Sequence, residues 1–141
     1  MSQIKFRAWD KDRNKMFDVQ AIYFQQDKII VSMPVKIKGF EQLCVEKTNV
    51  ELMQYTGVHD DTEEENEIYR GDIITFTYED EETIGKVEYE AGSFIIVSNE
   101  LPDGYVYFYE LVDIDRDYWW IPTSKALGNV YENPELLEVS K

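Results

Sequence analysis

Along the first third of the chain, apolar and polar positions alternate. In Ile4-Lys5-Phe6-Arg7-Ala8-Trp9, residues Ile4, Phe6 and Ala8 share one face and Lys5, Arg7 and Trp9 the other. A period of two is the pattern of a half-buried β-strand. The polar stretch from Asp10 to Lys15 reads as a turn, and Met16 to Phe24 resumes an apolar, aromatic run. Gln25-Gln26-Asp27 then turns into a segment where Ile29, Val31 and Met33 alternate with Lys28, Ile30 and Ser32. Short turns between such runs predict an antiparallel meander. Pro34 and Gly39 punctuate the next stretch. Residues 40–55 fit a strand or a short helix, because Phe40, Leu43 and Cys44 also hold helical spacing.

A second block comes after an acidic stretch, Asp60 to Glu67, that has no apolar residue. It opens with Ile68-Tyr69-Arg70-Gly71-Asp72-Ile73-Ile74, reverses at the charged tip Glu79 to Glu82, returns through Ile84 to Tyr89, and turns again at Ala91-Gly92 into Ser93 to Val97. Gly-Asp ahead of two isoleucines, then Gly85 and Gly92 each two residues before Val87 and Phe94, is the rhythm of a short-stranded sheet bent by glycines. Gly71 suits a tight turn into the strand, and Asp72 is placed to bond turn backbone. Gly128-Asn129-Val130-Tyr131 reads as a closing strand. Asn133-Pro134 then suggests an N-cap and first helical position for a single turn. The expected fold is mainly β with little helix: an N-terminal antiparallel meander plus a C-terminal SH3-like small β-barrel. The expected division is a meander region over 1–56, an acidic linker over 57–67 and the barrel over 68–141.

Composition adjusts this picture in three places. A chain of 141 residues with 14% aromatics is long enough to bury a core without staples, and its ten tyrosines favour pleated surfaces. The single cysteine, Cys44, excludes an intramolecular disulfide, and its place in Leu43-Cys44-Val45 suggests a small core residue. No apolar run approaches a membrane-spanning length and the first residues lack a signal-peptide core, so the expected location is the cytoplasm, with no membrane contact.

Charge adds a fourth. The formal net charge is -15. Residues 1–48 hold nine Lys/Arg against six Asp/Glu, whereas residues 49–141 hold five against twenty-three. The acidic part would be repelled by nucleic-acid phosphates, which points instead to solubility, or to a surface that docks a basic partner or imitates nucleic acid.

Three segments together resemble the YopX protein family: Ile4 to Asp10; Leu52-Met53-Gln54-Tyr55-Thr56-Gly57 with Ile68 to Ile74; and Leu127-Gly128-Asn129-Val130-Tyr131-Glu132-Asn133-Pro134-Glu135-Leu136-Leu137. The resemblance runs from end to end. It implies a protein encoded by bacteriophages and prophages, mainly of Gram-positive bacteria, with an SH3-type C-terminal domain. It implies no activity, and supplies no catalytic residues to carry over. One departure is the acidic, glycine-free stretch Asp60 to Glu67, where the family has a compact turn with Lys and Gly. No family-wide site is expected there.

Candidate chemistry is sparse. His59 and Cys44 would need an orienting group and an oxyanion pocket to act as a dyad, and two such ligands are too few for structural zinc. The acidic runs 60–67 and 79–82 lack the order of a calcium loop. No cofactor and no catalytic residue are expected. The aromatic residues Tyr105, Tyr107, Tyr109, Trp119 and Trp120 read either as core and cover or as a partner surface. Gly71, Asp72, Gly85, Gly128, Asn129 and Pro134 read as structural. The expected function is a non-enzymatic protein–protein interaction module of a phage or prophage. The alternatives are a nucleic-acid-associated protein using Lys5, Arg7, Lys11, Arg13 and Lys15, and a metal-dependent hydrolase. A homo-oligomer is also expected, because Trp9 and Ile30 place apolar groups on the second face of the meander.

Overall fold

A computed structural model describes residues 4–35, 39–114 and 117–138. The described residues are mainly β, with four short 3-10 turns as the helical content. The chain divides into two compact units, residues 4–54 and the residues from Tyr55 onward.

The N-terminal unit contains β1 (Phe6–Asp10), β2 (Lys15–Tyr23), β3 (Lys28–Val35), β4 (Gly39–Glu46) and the first half of β5 (Val50–His59). β1 pairs antiparallel with both β2 and β5, in registers that place Ala8 opposite Phe17 and Leu52. β2 pairs with β3 across a bulge between Val19 and Ala21, and β3 pairs with β4 without a break. Ala8, Phe17, Ile29, Val31, Val45 and Val50 form the core, flanked by Val19, Leu43 and Leu52. These are the positions that the period-two pattern assigns to one face. Residues 40–55 take up strands around a 3-10 turn at Lys47–Asn49, because burial of Val45 and Val50 is satisfied at strand spacing.

The same alternation corrects the reading of Cys44. It lies across from Ile30, on the face opposite Ile29 and Val31, and its side chain is exposed. Its apolar neighbours in sequence point to the other side of the sheet. Cys44 is therefore expected to react with a thiol reagent in the native protein without denaturant. Cys44→Ser should shift stability by no more than about 0.5 kcal/mol in urea titration.

The second unit begins with Tyr55–His59 of β5. That half-strand pairs antiparallel with β6 (Glu67–Tyr69) and parallel with β11 (Trp119–Trp120). A five-stranded antiparallel sheet has the order β10 (Tyr105–Tyr107), β9 (Ser93–Val97), β8 (Glu81–Glu90), β7 (Asp72–Tyr78), β12 (Lys125–Asn129). Between the two layers sit Val58 and Ile68 on one side and Ile74, Phe76, Val87, Ile96 and Val106 on the other, with Leu101, Phe108 and Ile121. The described strands do not close into a barrel. β10 and β12 stand at opposite edges, and closure requires the edges to share a ladder. β10 is only three residues long before the chain turns into a 3-10 helix at Phe108–Glu110.

The stretch 57–67 is tied down at both ends. Gly57 to His59 complete β5, Glu67 opens β6, and the segment between them is built around a buried carboxylate.

Candidate functional site

Asp60 is fully buried in a stretch that composition presents as a solvated acidic loop. Its Oδ1 accepts hydrogen bonds from Thr62 N (3.3 Å), Thr62 Oγ1 (2.7 Å) and Asn66 N (3.0 Å). Its Oδ2 accepts from Asn66 Nδ2 (3.0 Å) and from Ala126 N on edge strand β12 (3.0 Å). Next to it, Asp61 N donates to Ser124 O (2.9 Å) and Asp61 Oδ2 accepts from Thr123 N (2.8 Å). Burial alone would raise the pKa of Asp60. The donors from Ala126, Asn66 and Thr62 outweigh it and hold the carboxyl below its ordinary 3.8. Sequence reasoning missed this residue. The signal that marks it is local: Asp60 two residues ahead of Thr62 has the spacing of an Asx turn.

Of the structural motif residues, Gly71, Asp72, Asn129 and Pro134 shape turns, whereas Gly85 lies within β8 and Gly128 within β12. Gly71 has φ 92°, donates its N–H to Val87 O and accepts from Val130 N. Asp72, buried, accepts from Tyr69 N through Oδ2 at 2.8 Å. Asn129 Oδ1 accepts from the N–H groups of Tyr131 and Glu132, and its Nδ2 donates to Glu132 Oε1. Pro134 occupies the start of the 3-10 helix Pro134–Leu137. Asn133 makes no side-chain cap to that helix. Its Oδ1 accepts from Asn129 N instead (3.3 Å), lying where a Cβ on Gly128 would sit, 2.2 Å away.

The five aromatic residues of the candidate surface separate. Trp120 is buried and Trp119, beside it on β11, is 55% exposed. Tyr105, Tyr107 and Tyr109 form a ladder. Tyr105 meets Tyr107 edge-on (5.4 Å, 89°), and Tyr107 stacks on Tyr109 (4.9 Å, 20°). Tyr105 and Tyr109 are 43% and 71% exposed. The rings align even though the strand ends at Tyr107, because the 3-10 turn brings Tyr109 back over its neighbour. Glu110 fixes that turn: its Oε2 accepts from Tyr107 N at 3.1 Å. The Tyr105 hydroxyl is held above its ordinary pKa by its hydrogen bond to Tyr107, with the charges of Asp103 and Glu110 adding to the effect. The outer backbone of each edge strand thus meets a carboxylate, Asp60 at β12 and Glu110 at β10, a device that blunts sheet edges.

A second aromatic group surrounds the single histidine. The His59 ring lies 4.5 Å from Tyr118 and 6.0 Å from Tyr55, whose hydroxyl is 3.4 Å from His59 Nδ1. Tyr55 is buried, which with the charge of Glu67 pushes its pKa up to about 12. Among the described residues, no three His, Cys, Asp or Glu side chains are grouped to hold a metal. No helix among them is long and apolar enough to cross a membrane.

Two cations of the N-terminal stretch pair with carboxylates of their own unit. Arg13 Nη1 pairs with buried Asp10 Oδ2 at 2.8 Å and Lys11 Nζ with Glu51 at 3.2 Å. Lys5 and Arg7 also have partners.

No curated protein matches the chain. Among solved structures it is similar to protein EF1440 from Enterococcus faecalis, with a TM-score of 0.62 and 24% identity over 97% of this chain and 99% of that one. That likeness speaks to the fold. The sequence pattern of the YopX protein family matches residues 5–138, nearly the whole length, and the chain belongs to the YopX protein family.

Proposed function

We propose that this chain is a phage or prophage accessory protein without catalytic activity, working as a protein–protein interaction module through the Tyr105–Tyr107–Tyr109 ladder. The observation that carries the reading is three tyrosines packed in series through Tyr107, with the two end rings exposed. Tyrosine contributes large, amphipathic contact area at low conformational cost, and a ladder already ordered in the free protein lowers that cost further. The strand order supports an open, SH3-like C-terminal unit. Four consecutive antiparallel strands, a 3-10 turn, and a last strand returning beside the first are present.

The nucleic-acid reading has less support, since Lys11 and Arg13 already neutralise carboxylates of their own unit. For a hydrolase, the most buried carboxylate of the acidic stretch spends its oxygens on protein donors.

The test is parallel affinity capture from a nuclease-treated Gram-positive bacterial lysate by the wild-type chain and by a Tyr105→Ser/Tyr109→Ser variant. A specific protein should be retained by the wild type and about tenfold less by the variant. Equal retention by both, or recovery of nucleic acid alone from untreated lysate at physiological salt, overturns the proposal.

A further inference from the structure

We propose that the tyrosine ladder receives an extended basic segment of a partner protein, its arginine side chains lying against the rings and Asp103 and Glu110 supplying the countercharge. This names the partner chemistry of the interaction surface and rests on that reading of the ladder.

Three observations support a cationic occupant. The first is ring geometry. Tyr107 and Tyr109 are near-parallel, with Tyr105 set perpendicular to Tyr107. An aromatic face attracts a cation within about 6 Å of its centroid, and guanidinium planes also stack on it. The ring at the end of the stack, Tyr109, is the most exposed of the three.

The second is charge. Residues 98–114 contain Glu100, Asp103, Glu110 and Asp113 and no Lys or Arg. Residues 55–141 as a whole carry five Lys/Arg against twenty-two Asp/Glu. Asp103 lies two residues before Tyr105, and Glu110 accepts from the backbone of Tyr107, so both carboxylates border the ladder. Such a field draws in a basic segment and repels nucleic acid and anionic lipid, the other common companions of exposed tyrosines.

The third is the state of the strand edge. The Tyr107 N–H is taken by Glu110, so at that position the edge presents a carboxylate in place of a backbone donor. Recognition then runs through side chains of the partner, which favours arginine over an apolar strand.

Fluorescence anisotropy with the full chain and short labelled peptides of alternating Gly-Arg, Gly-Lys and Gly-Gln tests the proposal. The arginine peptide should bind best, the lysine peptide more weakly and the glutamine peptide not at all, with binding weakened by salt. Tyr109→Ser should reduce arginine-peptide affinity about fivefold, and Glu110→Gln about threefold. Glu82→Gln, at the β7–β8 tip, should leave it unchanged. Should Tyr109→Ser disturb core amide resonances, Tyr109→Leu keeps apolar bulk without the ring and should show the same loss.

Unchanged affinity in the Tyr109 variants would mean that overall acidity alone holds the peptide, and overturns the proposal. So does absence of arginine-peptide binding up to about 1 mM, or tighter binding of an oligothymidylate than of the arginine peptide. If no peptide binds but the double tyrosine variant still loses its captured protein, the cationic partner is wrong and the interaction module stands. If the double variant captures normally, the module itself is wrong.

Discussion

Replacing Asp60 with alanine is expected to destabilise the C-terminal unit by about 3–4 kcal/mol, because it strands several buried donors at once. The carboxylate satisfies Thr62 N, Thr62 Oγ1, Asn66 N, Asn66 Nδ2 and Ala126 N, and full burial of Asp60 keeps solvent from replacing it. Asp60→Asn keeps the shape but turns one acceptor into a donor. On Oδ2 that donor would face Asn66 Nδ2 and Ala126 N; on Oδ1 it would face the N–H groups of Thr62 and Asn66. It should cost nearly as much.

Urea denaturation monitored by tryptophan fluorescence measures the loss, with Glu64→Ala, an exposed residue of the same loop, as the comparison within about 0.5 kcal/mol of wild type. A pH series adds an independent check. The folded-state pKa of Asp60 lies below its unfolded value of 3.8. Its contribution is therefore fully present well above pH 3.8 and is lost as pH falls through the folded-state pKa. Asp60→Asn should flatten that acid limb. A variant as stable as wild type, or an unchanged acid limb, would show that the loop is only a solvated connection.

Gly85→Ala should cost about 2–3 kcal/mol, near the top of the range for overpacking a filled sheet. A Cβ at Gly85 would stand 2.6 Å from Val97 O and 2.7 Å from Ile96 Cγ2. The carbonyl is main chain of β9, and Ile96 is fully buried in the core, so neither neighbour can yield without moving the sheet. Gly128→Ala makes the informative contrast. Its nearest obstacle is the side chain of Asn133, which can swing aside at the loss of one hydrogen bond to Asn129 N; about 1 kcal/mol is expected. Thermal unfolding of the two variants should rank Gly85→Ala well below Gly128→Ala. The reverse order would mean that β8 and β9 are not held at so close a spacing.

The alternation of Ala8, Ile29 and Val31 with polar or half-exposed neighbours determined the strands around them by itself, whereas over 40–55 the sequence left strand and helix open until the structure placed β4 and β5 there. Burial on a sheet face depends only on residue parity, which is a property of sequence alone. The same holds for the turn chemistry of Gly71-Asp72, where a positive φ and a carboxylate acceptor are local demands. Membership of the YopX protein family was likewise legible, since the family's pattern runs along residues 5–138 and is read from sequence order alone.

Tertiary structure decided what parity does not carry. Parity sets Cys44 and Val45 on opposite faces, but which of the two meets the core follows from the register of β4 on β3, which sets Cys44 beside Ile30 and Val45 beside Ile29. The expected barrel remains an open sheet layered on β5, β6 and β11, because closure depends on which edges meet, and edge pairing is a long-range choice. Trp119 and Trp120 look alike in sequence and are separated by the pleat into an exposed and a buried ring. Asp60 shows the limit most clearly. Its Asx-turn spacing to Thr62 is legible in the run, but not its bond to Ala126, 66 residues away, because that donor comes within reach only in the folded chain.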